Sequence, residues 1–96
     1  MLNEMRYVYS VYQEKSFSKA AKKLFISQPA LSNYIGKVEE ELGVKLFDRS
    51  STPLTLTYAG EQYLKRARVI LGQIHEMDKE IRDITQNMKG KIRLGF

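Results

Sequence analysis

Gln28 carries an amide that both donates and accepts, the pattern that complements the N6/N7 edge of adenine, and it stands in the run Ser27-Gln28-Pro29-Ala30. Ser27 is suited to cap a helix, and Pro29 suits a first turn, whose amide hydrogens have no intrahelical acceptor anyway. Between Lys15 and Val38 lie five lysines (Lys15, Lys19, Lys22, Lys23, Lys37) and no acid, while Glu39-Glu40-Glu41 falls at the far end of the same helical stretch. That order turns a cationic side and a helix amino terminus toward an anion and holds the carboxylates away from it. Other chemistries are poorly served. Zero cysteines remove disulfides and thiolate zinc sites, and the single histidine, His75, cannot build a histidine metal cluster within one chain. A nucleophile-base-orienter set would need His75 to meet a serine and a carboxylate across a helix, so neither catalysis nor a cofactor is expected.

The elements that must position Gln28 follow from periodicity. Met5, Val8, Tyr9 and Tyr12 lie at helical spacing within residues 2 to 14. Ser18 is a candidate cap for a short second helix with Ala20, Ala21 and Leu24 inward, small residues that let helices approach closely. After a four-residue turn, Phe25 to Gln28, a third helix places Leu31, Ile35, Val38 and Leu42 on one face and stops at Gly43. Val44, Leu46 and Leu54, Leu56 alternate on either side of Asp48-Arg49-Ser50-Ser51-Thr52-Pro53, which predicts a two-stranded hairpin. From Thr57, a candidate cap, the apolar residues Tyr63, Ala67, Ile70, Ile74, Met77, Ile81, Ile84 and Met88 are separated by 4, 3, 4, 3, 4, 3 and 4, an unbroken heptad seam. One small domain cannot cover so long a stripe, and a second copy is the expected cover. Lys91 to Phe96 alternate with period two, as a lone strand would.

Helix, short helix, turn, capped helix and hairpin is the order of a winged helix-turn-helix, whose second motif helix enters the DNA major groove. The expected fold is therefore mainly α: three helices plus a two-stranded wing over residues 1–58, with the helix-turn-helix at about 18–37 and the wing at about 44–57, followed by a long dimerisation helix over 58–88. Length and charge agree. Ninety-six residues, 43% of them hydrophobic, allow one small domain and one extra element, and the net charge of +5 favours an anionic partner, for which nucleic acid and a membrane surface both qualify. No apolar run approaches the roughly 20 residues of a membrane helix, and Met1-Leu2-Asn3-Glu4 lacks a signal-peptide layout, so a cytoplasmic protein is expected.

The runs Ser16-Phe17-Ser18-Lys19-Ala20-Ala21-Lys22-Lys23-Leu24, Ser27-Gln28-Pro29-Ala30-Leu31-Ser32, Val38-Glu39-Glu40-Glu41-Leu42-Gly43, Leu46-Phe47-Asp48-Arg49 and Leu56-Thr57-Tyr58-Ala59-Gly60 resemble the amino-terminal signature of LysR-type transcriptional regulators. The resemblance implies sequence-specific binding of double-stranded DNA at imperfect inverted repeats, and linker helices paired antiparallel into dimers that often form tetramers. It also implies that residues 89–96 open a truncated effector-binding domain, through which alone a small-molecule effector would act. Base contacts are expected from Gln28, Pro29, Ala30, Ser32 and Asn33, and phosphate or minor-groove contacts from Ser18, Ser27, Lys37, Arg49, Ser50, Ser51 and Thr52. Thr52 and Thr55 stand where relatives often carry basic residues, so a shallower salt dependence is expected. Gly36 also departs from the family pattern, either permitting close backbone approach or reflecting drift.

Two other classes compete. A coiled-coil interaction or membrane-surface module would use the long helix and leave the basic domain incidental, and a small dimerising antagonist would pair with a related regulator. Truncation separates the first from a DNA binder, because residues 1 to 58 should still bind duplex DNA weakly.

Overall fold

Apolar spacing and local caps place the helices where backbone groups can be satisfied within the segment. A computed structural model describes residues 2–93 as α1 (Leu2–Glu14), α2 (Phe17–Leu24), α3 (Gln28–Leu42), β1 (Phe47–Asp48), β2 (Thr55–Leu56) and α4 (Tyr58–Arg93). α1 packs on α2, α3 and α4, and α2 packs on α3. The core joins Val8 and Val11 of α1, Ala20 and Ala21 of α2, Leu31, Ile35 and Val38 of α3, Leu46 and Phe47 of the wing, and Leu64 of α4. Both alanines are buried, and their size lets α2 pack on α1 and α3. The Tyr7 and Tyr34 rings meet at 4.8 Å between centroids, so the α1 tyrosines extend the core toward α3 rather than offering free faces for stacking.

Several boundaries move. The cap of α2 is Ser16, not Ser18: Ser16 has extended backbone and its side chain accepts from the Lys19 amide at 3.2 Å, which leaves Ser18 inside the first turn. α2 ends on Phe25 in the left-handed conformation (φ 59°), where the Phe25 amide donates to Lys22 O and the Ile26 amide to Ala21 O. On α3, Leu42 is exposed and Glu39 takes the inward place. The expected strand over Val44 and Leu46 shrinks to Phe47–Asp48, which pairs antiparallel with Thr55–Leu56 in the register Phe47 to Leu56. The cause is Glu39, whose Oε2 accepts from the Leu46 amide at 2.7 Å and the Phe47 amide at 3.3 Å, taking donors that a longer ladder would use.

Thr57 caps α4 from both sides, its hydroxyl donating to Lys45 O at 2.6 Å and accepting from the Gly60 amide at 3.0 Å. The 36 residues of α4 would extend about 54 Å at 1.5 Å per residue, and the molecule measures 63 × 25 × 22 Å, so most of α4 stands clear of the winged domain. The expected seam divides accordingly. Ala67 is 1% exposed and Tyr63 half-buried, both turned onto the chain's own core, whereas Ile70, Met77, Ile81, Ile84 and Met88 are exposed and Ile74 is partly so. Ala67 is thus taken up by the chain's own core and Tyr63 is partly so, because the first turns of α4 lie against α1. The strand expected from Lys91 is also corrected: α4 runs through Gly90 to Arg93, since each residue added to a formed helix gains a hydrogen bond without a new nucleation step. Leu94, Gly95 and Phe96 lie outside the described residues. Among the described residues no helix is long and apolar enough to cross a membrane.

Candidate nucleic-acid interface

α3 is positioned at both ends by local chemistry. Ser27, with extended backbone, accepts from the Ala30 amide at 3.2 Å, Pro29 occupies the first turn, and Gly43 closes the helix at φ 74°. Leu31, Ile35 and Val38 are buried, which forces the opposite face outward. Gln28, Pro29, Ala30, Asn33 and Lys37 are exposed, with Ser32 partly so. Gln28 and Ser32 are one turn apart in one column, and Pro29, Asn33 and Lys37 form the adjacent column. The structure therefore gathers all five expected base-contact residues and Lys37 on one solvent-facing surface, led by the first turn of α3.

A shallow groove runs beside that surface between α3 and the wing, lined by Ser32, Asn33, Gly36, Lys37, Glu40, Lys45 and Arg49. Open space surrounds Gly36: nothing lies within 4 Å of where its Cβ would sit. Arg49 lies across the groove, with Nη1 donating to Ser32 Oγ at 2.6 Å and Nη2 to Ser32 O at 3.3 Å. Its Nη2 is also 3.6 Å from Glu39 Oε1, and its guanidinium carbon is 4.4 Å from the Phe17 ring centroid.

The remaining candidates are placed apart. Ser50 and Ser51 belong to the wing turn, where both hydroxyls donate to the Asp48 carboxylate and the Ser50 amide adds a third bond. The Ser50 hydroxyl bond, with the Ser50 amide and Ser51 behind it, holds the Asp48 carboxyl below its usual range. Thr52 is exposed on the same turn, and Ser18 is exposed on the first turn of α2. Of the lysines on α2, Lys23 pairs with Glu14 at 3.5 Å.

Glu39 is the residue that sequence reasoning misassigned. Grouped with Glu40 and Glu41 as a carboxylate cluster held away from the ligand, it is instead 2% exposed and organises the wing. A signal was present, because position 39 follows Ile35 by four and falls on the apolar column of α3.

Residues 2–61 match the family of bacterial regulatory helix-turn-helix proteins of the lysR family. The chain is 38% identical over 95 residues to the HTH-type transcriptional regulator BsdA of Bacillus subtilis (strain 168), covering 98% of this chain and 33% of that protein. It is 39% identical over 95 residues to the HTH-type transcriptional regulator BenM of Acinetobacter baylyi, covering 99% of this chain and 31% of that protein. The chain thus spans about a third of the length of these curated relatives. Among solved structures, the BenM_DBD/catB site 1 DNA complex superposes with a TM-score of 0.85 at 38% identity, over 91% of this chain and 94% of that one. Full-length BenM superposes with a TM-score of 0.79 at 39% identity, over 85% of this chain and 27% of that one.

Proposed function

The chain belongs to the LysR family of bacterial regulatory helix-turn-helix proteins, and from that membership and the surface of α3 we propose that it binds double-stranded DNA sequence-specifically to regulate transcription. Residues 1–58 form the reading unit and 58–88 the dimerising helix of this proposal, which acts in the cytoplasm. One observation carries it: the capped first turn of α3 exposes Gln28, Pro29 and Ala30 together, on a surface without an acid until Glu40. The helix amino terminus and the lysines around it attract phosphates, while Gln28, Ser32 and Asn33 have the donors and acceptors to read base edges. Pro29 and Ala30 supply apolar surface for thymine methyls. Ser18, Ser27 and Lys37 hold the backbone, and Ser50, Ser51 and Thr52 bring the wing to its neighbouring stretch.

A second copy doubles the reader. Ile70, Ile74, Met77, Ile81, Ile84 and Met88 leave a seam uncovered along α4, and the resemblance implies antiparallel pairing there. Two α3 helices held at a set separation then read half-site spacing as geometry.

Selection of bound sequences from random duplex DNA tests the reading. It should enrich paired half-sites related by a two-fold axis, and Gln28→Ala should relax the preference at one position by about 1–3 kcal/mol. Retention of duplexes without any shared sequence would overturn it. The same result with activity residing only in isolated α4 would favour an interaction module.

A further inference from the structure

Arg49 is engaged within the chain rather than reaching free toward a phosphate. Its fork donates to both Ser32 Oγ and Ser32 O, it pairs with the buried Glu39 carboxylate at 3.6 Å, and its guanidinium carbon lies over the Phe17 ring. Swinging out to a phosphate would break these contacts together and leave Glu39 buried beside only two backbone donors. The Ser32 hydroxyl offers one donor and two acceptor positions. Arg49 fills an acceptor position, and the hydroxyl donates to no acceptor among the described residues. A helical hydroxyl can turn back to the carbonyl four residues earlier, as Thr85 does to Ile81 O at 2.9 Å, or it can point outward. Ser32 makes no such bond, and it stands one turn after Gln28 on the outward column.

We infer that Arg49 is a positioning residue that presents the Ser32 hydroxyl as a hydrogen-bond donor to the duplex, so that α3 reads an acceptor at this point. In the major groove the acceptors are guanine O6 or N7, adenine N7 and thymine O4; the cytosine N4 donor is disfavoured, because it can use only the hydroxyl's one remaining lone pair and leaves its proton without an acceptor. The inference rests on the proposed reading that α3 faces base edges. It replaces the expectation that Arg49 contacts phosphate or the minor groove directly.

The test compares the wild-type chain, Arg49→Gln, Ser32→Ala and the double variant, on a duplex recovered by selection and on a random duplex, across a series of salt concentrations. Arg49→Gln should lower the preference for the selected duplex about tenfold while the slope of log affinity against log salt stays as in the wild type. Ser32→Ala, which leaves the wing contacts to Glu39 intact, should lower the preference by a similar factor, and the double variant should add nothing. Replacing purines one at a time by 7-deazapurines, and thymine by cytosine, should reveal one position that matters to the wild type and no longer matters to Ser32→Ala. A slope reduced by about one in Arg49→Gln with preference intact would make Arg49 a phosphate ligand and overturn the inference. Full preference in Ser32→Ala would overturn it independently, whatever Arg49→Gln does to folding. A wild-type chain that enriches no sequence would instead remove the DNA-reading proposal, and this inference with it.

Discussion

Gly60 lies against the backbone of Leu46 so closely that a Cβ on residue 60 would sit 2.0 Å from the Leu46 carbonyl oxygen. That contact seats the start of α4 on the wing, and the same carbonyl accepts the Thr57 amide at 2.9 Å. The angle at which the long helix leaves the domain is thus set by the lack of a single methyl group.

Gly60→Ala should therefore destabilise the fold by about 3 kcal/mol or more, because the obstacle is backbone and cannot swing aside. Gly36→Ala, with open space where its Cβ would point, should stabilise α3 by about 1 kcal/mol. Urea denaturation of the two variants should move the midpoint in opposite directions.

Phe25 adopts φ 59° and is 94% exposed. The ring gains little from burial while its Cβ meets the left-handed penalty. Phe25→Asn should raise stability by about 0.5–1 kcal/mol, read as a higher urea midpoint with an unchanged m-value.

The heptad series should split under substitution. Ile81→Asp or Ile84→Asp, at positions 56% and 54% exposed in the single chain, should lower the sedimenting mass from dimer to monomer while the melting of the winged domain persists. Ala67→Asp should instead unfold that domain, since it buries an unpaired carboxylate beside α1. A variant of Ile81 with unaltered sedimentation would place the seam elsewhere.

The wing turn should open in acid. The folded Asp48 carboxyl titrates below its usual value because Ser50 and Ser51 donate to the charged form, so its contribution is complete above the unfolded value and is lost as pH falls through the lowered folded one. An NMR titration of the Asp48 carboxyl should have its midpoint below that of an unstructured aspartate, and Ser50→Ala should raise it.

Thr52 is exposed on the same turn and uncharged. Thr52→Arg should tighten duplex binding and steepen the dependence of log affinity on log salt by about one, measured by titration at several ionic strengths.

The extent to which the sequence announced these features varies with the range of the interactions involved. The start and end of α3 were readable because Ser27 bonds three residues ahead and Gly43 supplies its own left-handed turn. Ser16 took the capping place assigned to Ser18 because two serines flank Phe17 and either satisfies the local rule; the earlier start brings Phe17, which packs against the core, into the helix. Glu39 was obscured by its like-charged neighbours. Its role depends on Leu46 and Phe47 returning to it seven and eight residues later.

Sequence alone determined the helix order, the capped turn at Ser27, the outward column containing Gln28, and the heptad period of α4, because each depends on residues within one or two helical turns of one another. Tertiary structure decided that Arg49 bonds to Ser32, that Glu39 organises the wing, and that Tyr63 and Ala67 face the chain's own core while Ile81 and Ile84 face outward. The physical reason is that periodicity specifies which side of a helix is apolar, whereas the surface that covers that side is chosen only when distant segments meet.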